Sequence, residues 1–319
     1  MTDKLLVIGA CGQIGTELTL ALRKFYGETS VIASDVKSET GLLRGTGPFV
    51  PLDVMSKDML AVQVRRHRIT QIYLLSAMLS ATGEQRPHQA WHLNIQSLLN
   101  TLEVAREEKV AKVFWPSSIA VFGPSAPKFN CPQTAPQEPT TVYGISKLAG
   151  EQWCSYYHKK FGTDVRSLRY PGLISHHTQP GGGTTDYAVE IFQDALRKNY
   201  YECFLERDTI LPMMYMPDAI RATIELMESP SSGITVRSSY NVAAISFSPE
   251  QIAAQIRKYV PSFTISYKPD ARQAIAESWP WSINDAKAQT DWYWHPEYDL
   301  NRMVVDMLEE MAVKKMVNA

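Results

Sequence analysis

A phenol and an ammonium stand four residues apart in Thr140-Thr141-Val142-Tyr143-Gly144-Ile145-Ser146-Lys147. On a helix that spacing is one turn, so Tyr143 and Lys147 share a face. With its usual pKa near 10, a tyrosine is only about 0.1% phenolate at pH 7, and acting as a base requires a neighbouring positive charge. Lys147 can supply one. The same pair also suits an ordinary half-exposed helix face, so the elements around it decide between the two readings.

The second constellation lies at the start of the chain. Gly9, Gly12 and Gly15 form G-x-x-G-x-x-G between an apolar run, Lys4 to Gly9, and a stretch from Gln13 to Phe25 with apolar residues at helical spacing. A strand, a glycine turn and a helix in that order let the backbone approach a pyrophosphate at the helix N-terminus. A second strand, Ser30 to Ser34, ends at Asp35, 20 residues after Gly15. A carboxylate there can accept hydrogen bonds from adenosine ribose hydroxyls and would repel a 2′-phosphate, which favours NAD over NADP. Lys37 offsets part of that repulsion, and a polar residue in a turn after a strand is the plainer alternative for Asp35.

The elements that position these groups alternate. Phe49 to Val54 reads as a short strand ending near Asp53, Ser56 to His67 as a helix, and Gln71 to Leu75 as a strand delivering Ser76-Ala77-Met78-Leu79-Ser80 to the edge where doubly wound sheets bind ligands. Ser80 is a candidate substrate contact, although a serine in a loop is also unremarkable. His88 to Glu108 forms a long helix. His88 and His92 lack the intervening glutamate of the metalloprotease pattern and read as surface or interface histidines, so no metal is expected. Asn94, inside the same helix, is expected to bond locally or bridge to an adjacent segment.

A fifth strand, Lys112 to Pro116, is followed by the hydroxyls of Ser117 and Ser118. After a proline-rich loop, Thr140 or Thr141 can cap the helix of Tyr143, whose N-terminus adds a second positive influence near the phenol. Asp164 to Arg169 makes a sixth strand. Six strands alternating with helices imply an α/β fold, a Rossmann-type doubly wound parallel sheet. Beyond Tyr170 the pattern loosens. The loop from Pro180 to Asp186 either closes over substrate or simply connects and caps the helix near Tyr187. Pro217 to Glu228 and Pro249 to Val260 read as helices, Tyr240 to Ala243 as a strand, and Asp299 to Met316 as a terminal helix. Trp279, Trp281, Trp292 and Trp294 are expected to fill the core of a smaller C-terminal α/β lobe. The expected division is residues 1–170 and 208–244 for the dinucleotide-binding domain, with 171–207 and 245–319 for the substrate-binding lobe.

The totals suggest an ordinary soluble globule. The 319 residues carry 32 Lys+Arg against 33 Asp+Glu, with no long run of either sign, so neither nucleic acid nor a membrane surface is an expected partner. Apolar runs fall far short of the roughly 20 residues a membrane helix needs. Met1 to Lys4 leads directly into a strand, with no signal or transit segment expected. Cys11, Cys131, Cys154 and Cys203 are widely separated and form no C-x-x-C, which fits a reducing cytoplasm.

The glycine turn, Asp35, Ser118, Tyr143 and Lys147 occur in the order and spacing of the extended short-chain dehydrogenase/reductases, which this chain resembles over its whole length. Further stretches look like the zinc-independent L-threonine 3-dehydrogenases: Pro116 to Gly123, Leu168 to Gly172, Gly183 to Ala188 and Leu211 to Asp218. That resemblance implies NAD as cofactor and L-threonine as substrate, with Tyr143 as base, Lys147 lowering the phenol pKa and holding the nicotinamide ribose, and Ser118 orienting the substrate oxygen. It extends the cofactor-binding set to Gly9, Gly12, Gln13, Ile14, Gly15, Asp35, Asp53, Val54, Leu75, Ser76, Ala77, Asn94, Tyr143, Lys147 and Tyr170. Ser80 and Thr185 are implied at the amino-acid end of the substrate, beside Ser118 and Tyr143. A homodimer is implied through the helices of Tyr143 and Asn94. Two departures separate the chain from relatives: Ile119-Ala120 stands where sugar-nucleotide dehydratases carry Asp-Glu, and Pro171-Gly172 where epimerases carry Phe-Asn. The competing readings are an NAD-dependent sugar-nucleotide epimerase and a non-catalytic dinucleotide sensor.

Overall fold

In a computed structural model of the chain, residues 3–39, 41–177 and 181–317 are described. Pro180, placed in the glycine loop by the sequence, lies outside them. The first half runs β1 (Leu5–Ile8), α1 (Gln13–Tyr26), β2 (Val31–Asp35), β3 (Phe49–Pro51), α2 (Lys57–His67), β4 (Gln71–Leu74), α3 (Ser80–Gln85), α4 (Pro87–Glu107), β5 (Lys112–Phe114), β6 (Ser117–Ser118) and α5 (Val142–Phe161). There follow β7 (Val165–Arg166), β8 (Leu168–Tyr170), β9 (Gly172–Ile174), α6 (Tyr187–Lys198), β10 (Tyr200–Cys203), β11 (Leu211–Tyr215), α7 (Met216–Glu228) and β12 (Tyr240–Asn241). The last elements are β13 (Ile245–Phe247), α8 (Pro249–Arg257), β14 (Thr264–Tyr267), α9 (Ala271–Ser278), α10 (Ala286–Trp292) and α11 (Leu300–Val317).

Four fully buried residues, Leu5-Leu6-Val7-Ile8, make β1 the centre of a six-stranded sheet ordered β3-β2-β1-β4-β5-β7. All its pairings are parallel. A strand covered on both faces has no reason to alternate polar and apolar residues, which is why β1 reads as a continuous apolar run. Leu5 and Val7 join Leu18, Leu22 and Leu226 on one face, while Leu6 and Ile8 join Val64 and Leu98 on the other. The strand order reverses between β1 and β4. Their carboxyl ends open the crevice where such sheets take ligands.

The sixth strand differs from expectation in being split. Ser167 separates β7 from β8: its hydroxyl bonds Ser239 Oγ at 2.8 Å and its carbonyl accepts from Tyr240 N at 2.9 Å. Across from it, Pro116 lacks an N–H and interrupts the ladder between β5 and β6. Beyond the break β6 pairs with β8, and β8 with β12. The carbonyl of Pro116 accepts from Lys147 Nζ at 2.6 Å.

A third core joins α6, α8, α11 and β11 around Phe192, Met213, Ile252 and Met307. The tryptophans do not all belong to it. Trp279 does, but Trp292 and Trp294 pack with α1 and α7 under the parallel sheet, and the Arg221 guanidinium lies 4.6 Å over the Trp294 ring. The expected single aromatic cluster is thus two, because the chain between Trp281 and Trp292 crosses from one core to the other.

Candidate active site

The glycine turn is built from close approaches. Gly9 has φ +84°, and a Cβ there would stand 2.8 Å from Ser76 N. A Cβ on Gly15 would stand 2.1 Å from the Gly9 carbonyl, so α1 can leave the turn at this angle only with glycine. Gly12 is different: an added Cβ would meet only Gly9 O, at 3.3 Å. Its outer side is open. No side chain caps α1 and its first turn, Gln13, Ile14 and Gly15 included, holds no acidic residue. An uncapped helix start with free space before it suits a diphosphate.

Asp35 leans over this turn. Its Oδ2 accepts from Cys11 N and its Oδ1 from Lys37 N, each at 3.0 Å. Each carboxylate oxygen keeps a further lone pair for a hydroxyl donor. Asp53 is exposed and accepts from Met55 N at 2.9 Å. The buried Asn100 amide holds the next carbonyls, donating to Val54 O at 2.9 Å and Met55 O at 3.0 Å. Leu75 N donates to Ile8 O at 2.8 Å, which brings Leu75, Ser76 and Ala77, all half-buried, alongside Gly9.

Across the crevice α5 starts at a used cap. Thr141 Oγ1 accepts from Gly144 N at 3.0 Å, so of the two threonines the second is the N-cap. Gly144 is required because a Cβ would stand 2.1 Å from Ala120 O. That contact presses α5 onto the turn following Ser118, which brings the Ser118 hydroxyl near enough to the Tyr143 phenol to favour its ionised form. Farther along, a Cβ on Gly150 would stand 2.3 Å from the Trp115 ring. Lys147 Nζ lies 4.5 Å from the centre of that ring and 5.5 Å from the centre of the Tyr143 ring. Tyr143, Ser118 and Lys147 therefore meet as expected in place.

Their charge states differ from expectation. Burial pushes the Tyr143 phenol up to about 12, opposed by the Ser118 hydroxyl. Burial pushes Lys147 down to about 7, with Cys154 and Glu151 acting the other way. The polypeptide alone thus holds the phenol neutral. The α5 N-terminus adds less positive influence than the sequence suggests, since Glu84 Oε1 accepts from Val142 N at 2.8 Å and places a carboxylate there.

Between the two ends lie the hydroxyls of the other candidates. Ser80 is buried at the start of α3, and its Oγ stands 3.4 Å from Thr184 Oγ1. Thr185 packs where Gly172 leaves room: a Cβ on Gly172 would stand 2.6 Å from Thr185 Cγ2. The loop does end at the N-cap of α6, Asp186, although its side chain makes no cap hydrogen bond to the helix. Its Oδ2 turns back to accept from Gly182 N at 2.9 Å and Gly183 N at 2.7 Å, tying the glycine loop to the helix start.

Two cofactor candidates have their polar atoms engaged elsewhere. Asn94 bonds Met78 N at 2.8 Å, Met78 O at 3.1 Å and Ser146 Oγ at 3.1 Å, bridging the Ser76–Ser80 segment to α5. Tyr170 turns its ring onto Phe114 and its hydroxyl to Thr223 on α7, so its side chain supports the sheet. Sequence reasoning missed Glu151, Arg169, Asn100 and Glu84. The spacing of Tyr143, Lys147 and Glu151, each one turn after the last, was the available signal for the first. His88 and His92 are exposed on α4, and among the described residues no group of three or more His, Cys, Asp or Glu side chains is arranged to hold a metal. A cleft of about 450 Å³ lies away from the phenol, lined by Gln133, Ser155, His158, Arg169 and Arg237.

Comparison with known proteins gives a consistent picture. Residues 5–243 match the model of the NAD dependent epimerase/dehydratase family. An uncharacterized epimerase/dehydratase of Staphylococcus haemolyticus is 46% identical over 98% of this chain and 99% of its own. The holo form of an L-threonine dehydrogenase from Cupriavidus necator is 57% identical with a TM-score of 0.95, covering 97% of this chain and 100% of that one. The L-threonine dehydrogenase from Clostridium difficile is 45% identical, also at TM-score 0.95, over 98% of each chain.

Proposed function

Since this chain belongs to the NAD dependent epimerase/dehydratase family, we propose that it is an NAD-dependent L-threonine 3-dehydrogenase, oxidising the 3-hydroxyl of L-threonine to give 2-amino-3-oxobutyrate. The observation that carries this reading is the gathering of Ser118, Tyr143 and Lys147, with Lys147 Nζ 5.5 Å from the centre of the Tyr143 ring, in a chain 45% and 57% identical to solved threonine dehydrogenases. Ile119-Ala120 after Ser118 leaves no acid pair for water elimination, which restricts the chemistry to hydride transfer.

In this reading Gly9, Gly12, Gln13, Ile14 and Gly15 hold the diphosphate of NAD, and Asp35 holds the adenosine ribose. Asp53, Val54, Leu75, Ser76 and Ala77 line the rest. Bound NAD supplies the acceptor for the hydride leaving C3. Ser118 holds the substrate hydroxyl against Tyr143, and the phenolate takes its proton. Bringing a phenol from about 12 to half-ionised near pH 9 requires about 4 kcal/mol of added positive potential. The positive nicotinamide ring of bound NAD would supply part of it; Lys147, pushed down to about 7 by burial, adds to it only where it carries its proton. Ser80 and Thr185, with Thr184 behind Ser80, face the amino-acid end of threonine.

We also read residues 1–170 and 208–244 as the NAD-binding domain and 171–207 with 245–319 as the substrate-binding lobe. The assembly is a cytoplasmic homodimer joined through α4 and α5, where Trp91, Ile145, Trp153 and Tyr156 are exposed. No helix among the described residues is long and apolar enough to cross a membrane. The purified protein is expected to form NADH from NAD and L-threonine at alkaline pH, with activity surviving exhaustive chelation. No NADH under those conditions overturns the proposal; NADH that disappears on chelation overturns its metal-free form.

A further inference from the structure

One turn after Lys147 on α5 lies Glu151, with no exposed surface. Both carboxylate oxygens are engaged twice. Oε1 accepts from Ser117 Oγ at 2.6 Å and Arg169 Nε at 2.9 Å; Oε2 accepts from Arg169 Nη2 at 2.7 Å and Gln137 Nε2 at 3.0 Å. Arg169, 3% exposed, donates onward to Gln133 O at 2.9 Å and Asn241 Oδ1 at 3.1 Å. Its guanidinium lies 5.2 Å over the Phe122 ring. One ion pair therefore ties together α5, β6, β8, β12 and the loop before α5.

Stability alone is a weak reason to bury such a pair. Exchanging a buried ion pair for apolar residues of similar volume is often neutral or stabilising by about 1–4 kcal/mol. The position suggests another purpose. Ser117 precedes Ser118, Glu151 follows Lys147 by one turn, and Arg169 lies on the strand leading to Gly172, which accommodates Thr185. We propose that Glu151 and Arg169 are a positioning pair for the reaction: they hold Ser118 in register with Tyr143 and set the local field at Lys147, the carboxylate favouring its ammonium form against burial. This rests on the catalytic reading above.

The charge argument follows from order along the line. Glu151 is on the same helix face as Lys147 and favours its charged form; Arg169 bonds the far side of that carboxylate, and a like charge there should oppose the ammonium from a greater distance. The titratable groups facing Lys147 from its own helix are Tyr143, Glu151 and Cys154; the segment between β5 and β6 presents the neutral Trp115 ring and Pro116 carbonyl, α4 presents the neutral Asn94 to the adjacent Ser146, and Arg169 on β8 stands one contact away, on Glu151. Removing the carboxylate alone leaves the guanidinium uncompensated and drives Lys147 to its neutral form. Removing the guanidinium alone does the reverse.

The test is an NMR titration of ¹⁵N-lysine-labelled protein, with Lys147 assigned by its loss in Lys147→Met, in the wild type, Glu151→Gln, Arg169→Met and the double variant. The order expected for the Lys147 titration is Arg169→Met highest, then wild type, then the double variant, with Glu151→Gln lowest. Each step should be at least about half a pH unit. Any one variant that folds decides the matter, and the double variant removes the lone buried charge that would most disfavour folding. A Lys147 titration unmoved in a folded variant overturns the proposal. In parallel, kcat of Glu151→Gln should fall about tenfold or more, with its alkaline decline moved to lower pH and the KM for NAD changed less than about threefold. Glu151→Asp should recover the titration but not the full kcat, since the shorter side chain keeps the charge and loses Ser117. Because the titration needs no turnover, a protein inert toward threonine would sink the catalytic reading while leaving the charge order measurable.

Discussion

Two helices begin at the carboxyl edge of the same sheet, and their N-termini are treated in opposite ways. At α1, Gly12 offers no cap, the first turn is free of acids and the space in front is open. At α5, Thr141 caps Gly144 N, Glu84 takes Val142 N, and Gly144 lies against Ala120 O. A helix start carries roughly half a positive charge. Left open it is a receptor for an anion. Closed by the protein it becomes a rigid post, and α5 accordingly presents side chains to the crevice instead of its backbone. In the proposed function, binding and chemistry are thus divided between two equivalent pieces of backbone by whether a side chain already satisfies them.

The strongest way to break this division is Tyr143→Phe. The exchange should lower kcat by about a thousandfold or more while NAD affinity stays within about twofold, as read by stopped-flow turnover and calorimetry. Substantial residual turnover would mean that another group on α5 is the base. Next in size is Gly12→Asp. An aspartate there would cap α1 as Thr141 caps α5, so the thermal midpoint should hold or rise slightly while NAD binding weakens at least about tenfold. Unchanged NAD affinity would show that the open start of α1 is not the anion site.

A smaller effect concerns pH. Lys147 is depressed to about 7 in the folded chain from an ordinary 10.5, so between those values the unfolded chain holds a proton that the folded one lacks. Stability should therefore rise with pH across that window on account of this residue. Lys147→Met should flatten the rise in the ligand-free protein; equal slopes in urea titrations from pH 7 to 10 would contradict the burial of an ionisable amine there. The mildest test is Thr141→Ala, which should lower stability by about 1 kcal/mol, with NAD affinity intact. A loss of NAD affinity comparable to that in Gly12→Asp would erase the distinction between the two helices.

The parallel sheet, the glycine turn and the Tyr143 helix were legible in the chain because each depends on local pattern. Leu5 to Ile8 is apolar without alternation, Gly9, Gly12 and Gly15 fall between a strand and a helix, and Tyr143 and Lys147 are one turn apart whatever they pack against. The split at Ser167 was not legible, since it depends on Pro116 lying opposite in a different strand. Nor was the parting of Trp279 from Trp292 and Trp294, because apolar residues close in sequence carry no label for which of two cores they enter. The direction of the Tyr170 side chain was hidden for a related reason: its position at the end of β8 is local, but its hydroxyl partner, Thr223, is 53 residues away.

By itself the sequence determined where backbone must come close and which side chains share a helix turn, for those are consequences of missing Cβ atoms and of the helical repeat. Only the tertiary structure decided which charges meet. Glu151 and Arg169 are 18 residues apart and Glu84 and Val142 are 58 apart. Burial chiefly sets whether Tyr143 and Lys147 hold their protons, with Ser118 and Glu151 acting against it, because burial and Coulomb interactions act through space and have no period along the chain.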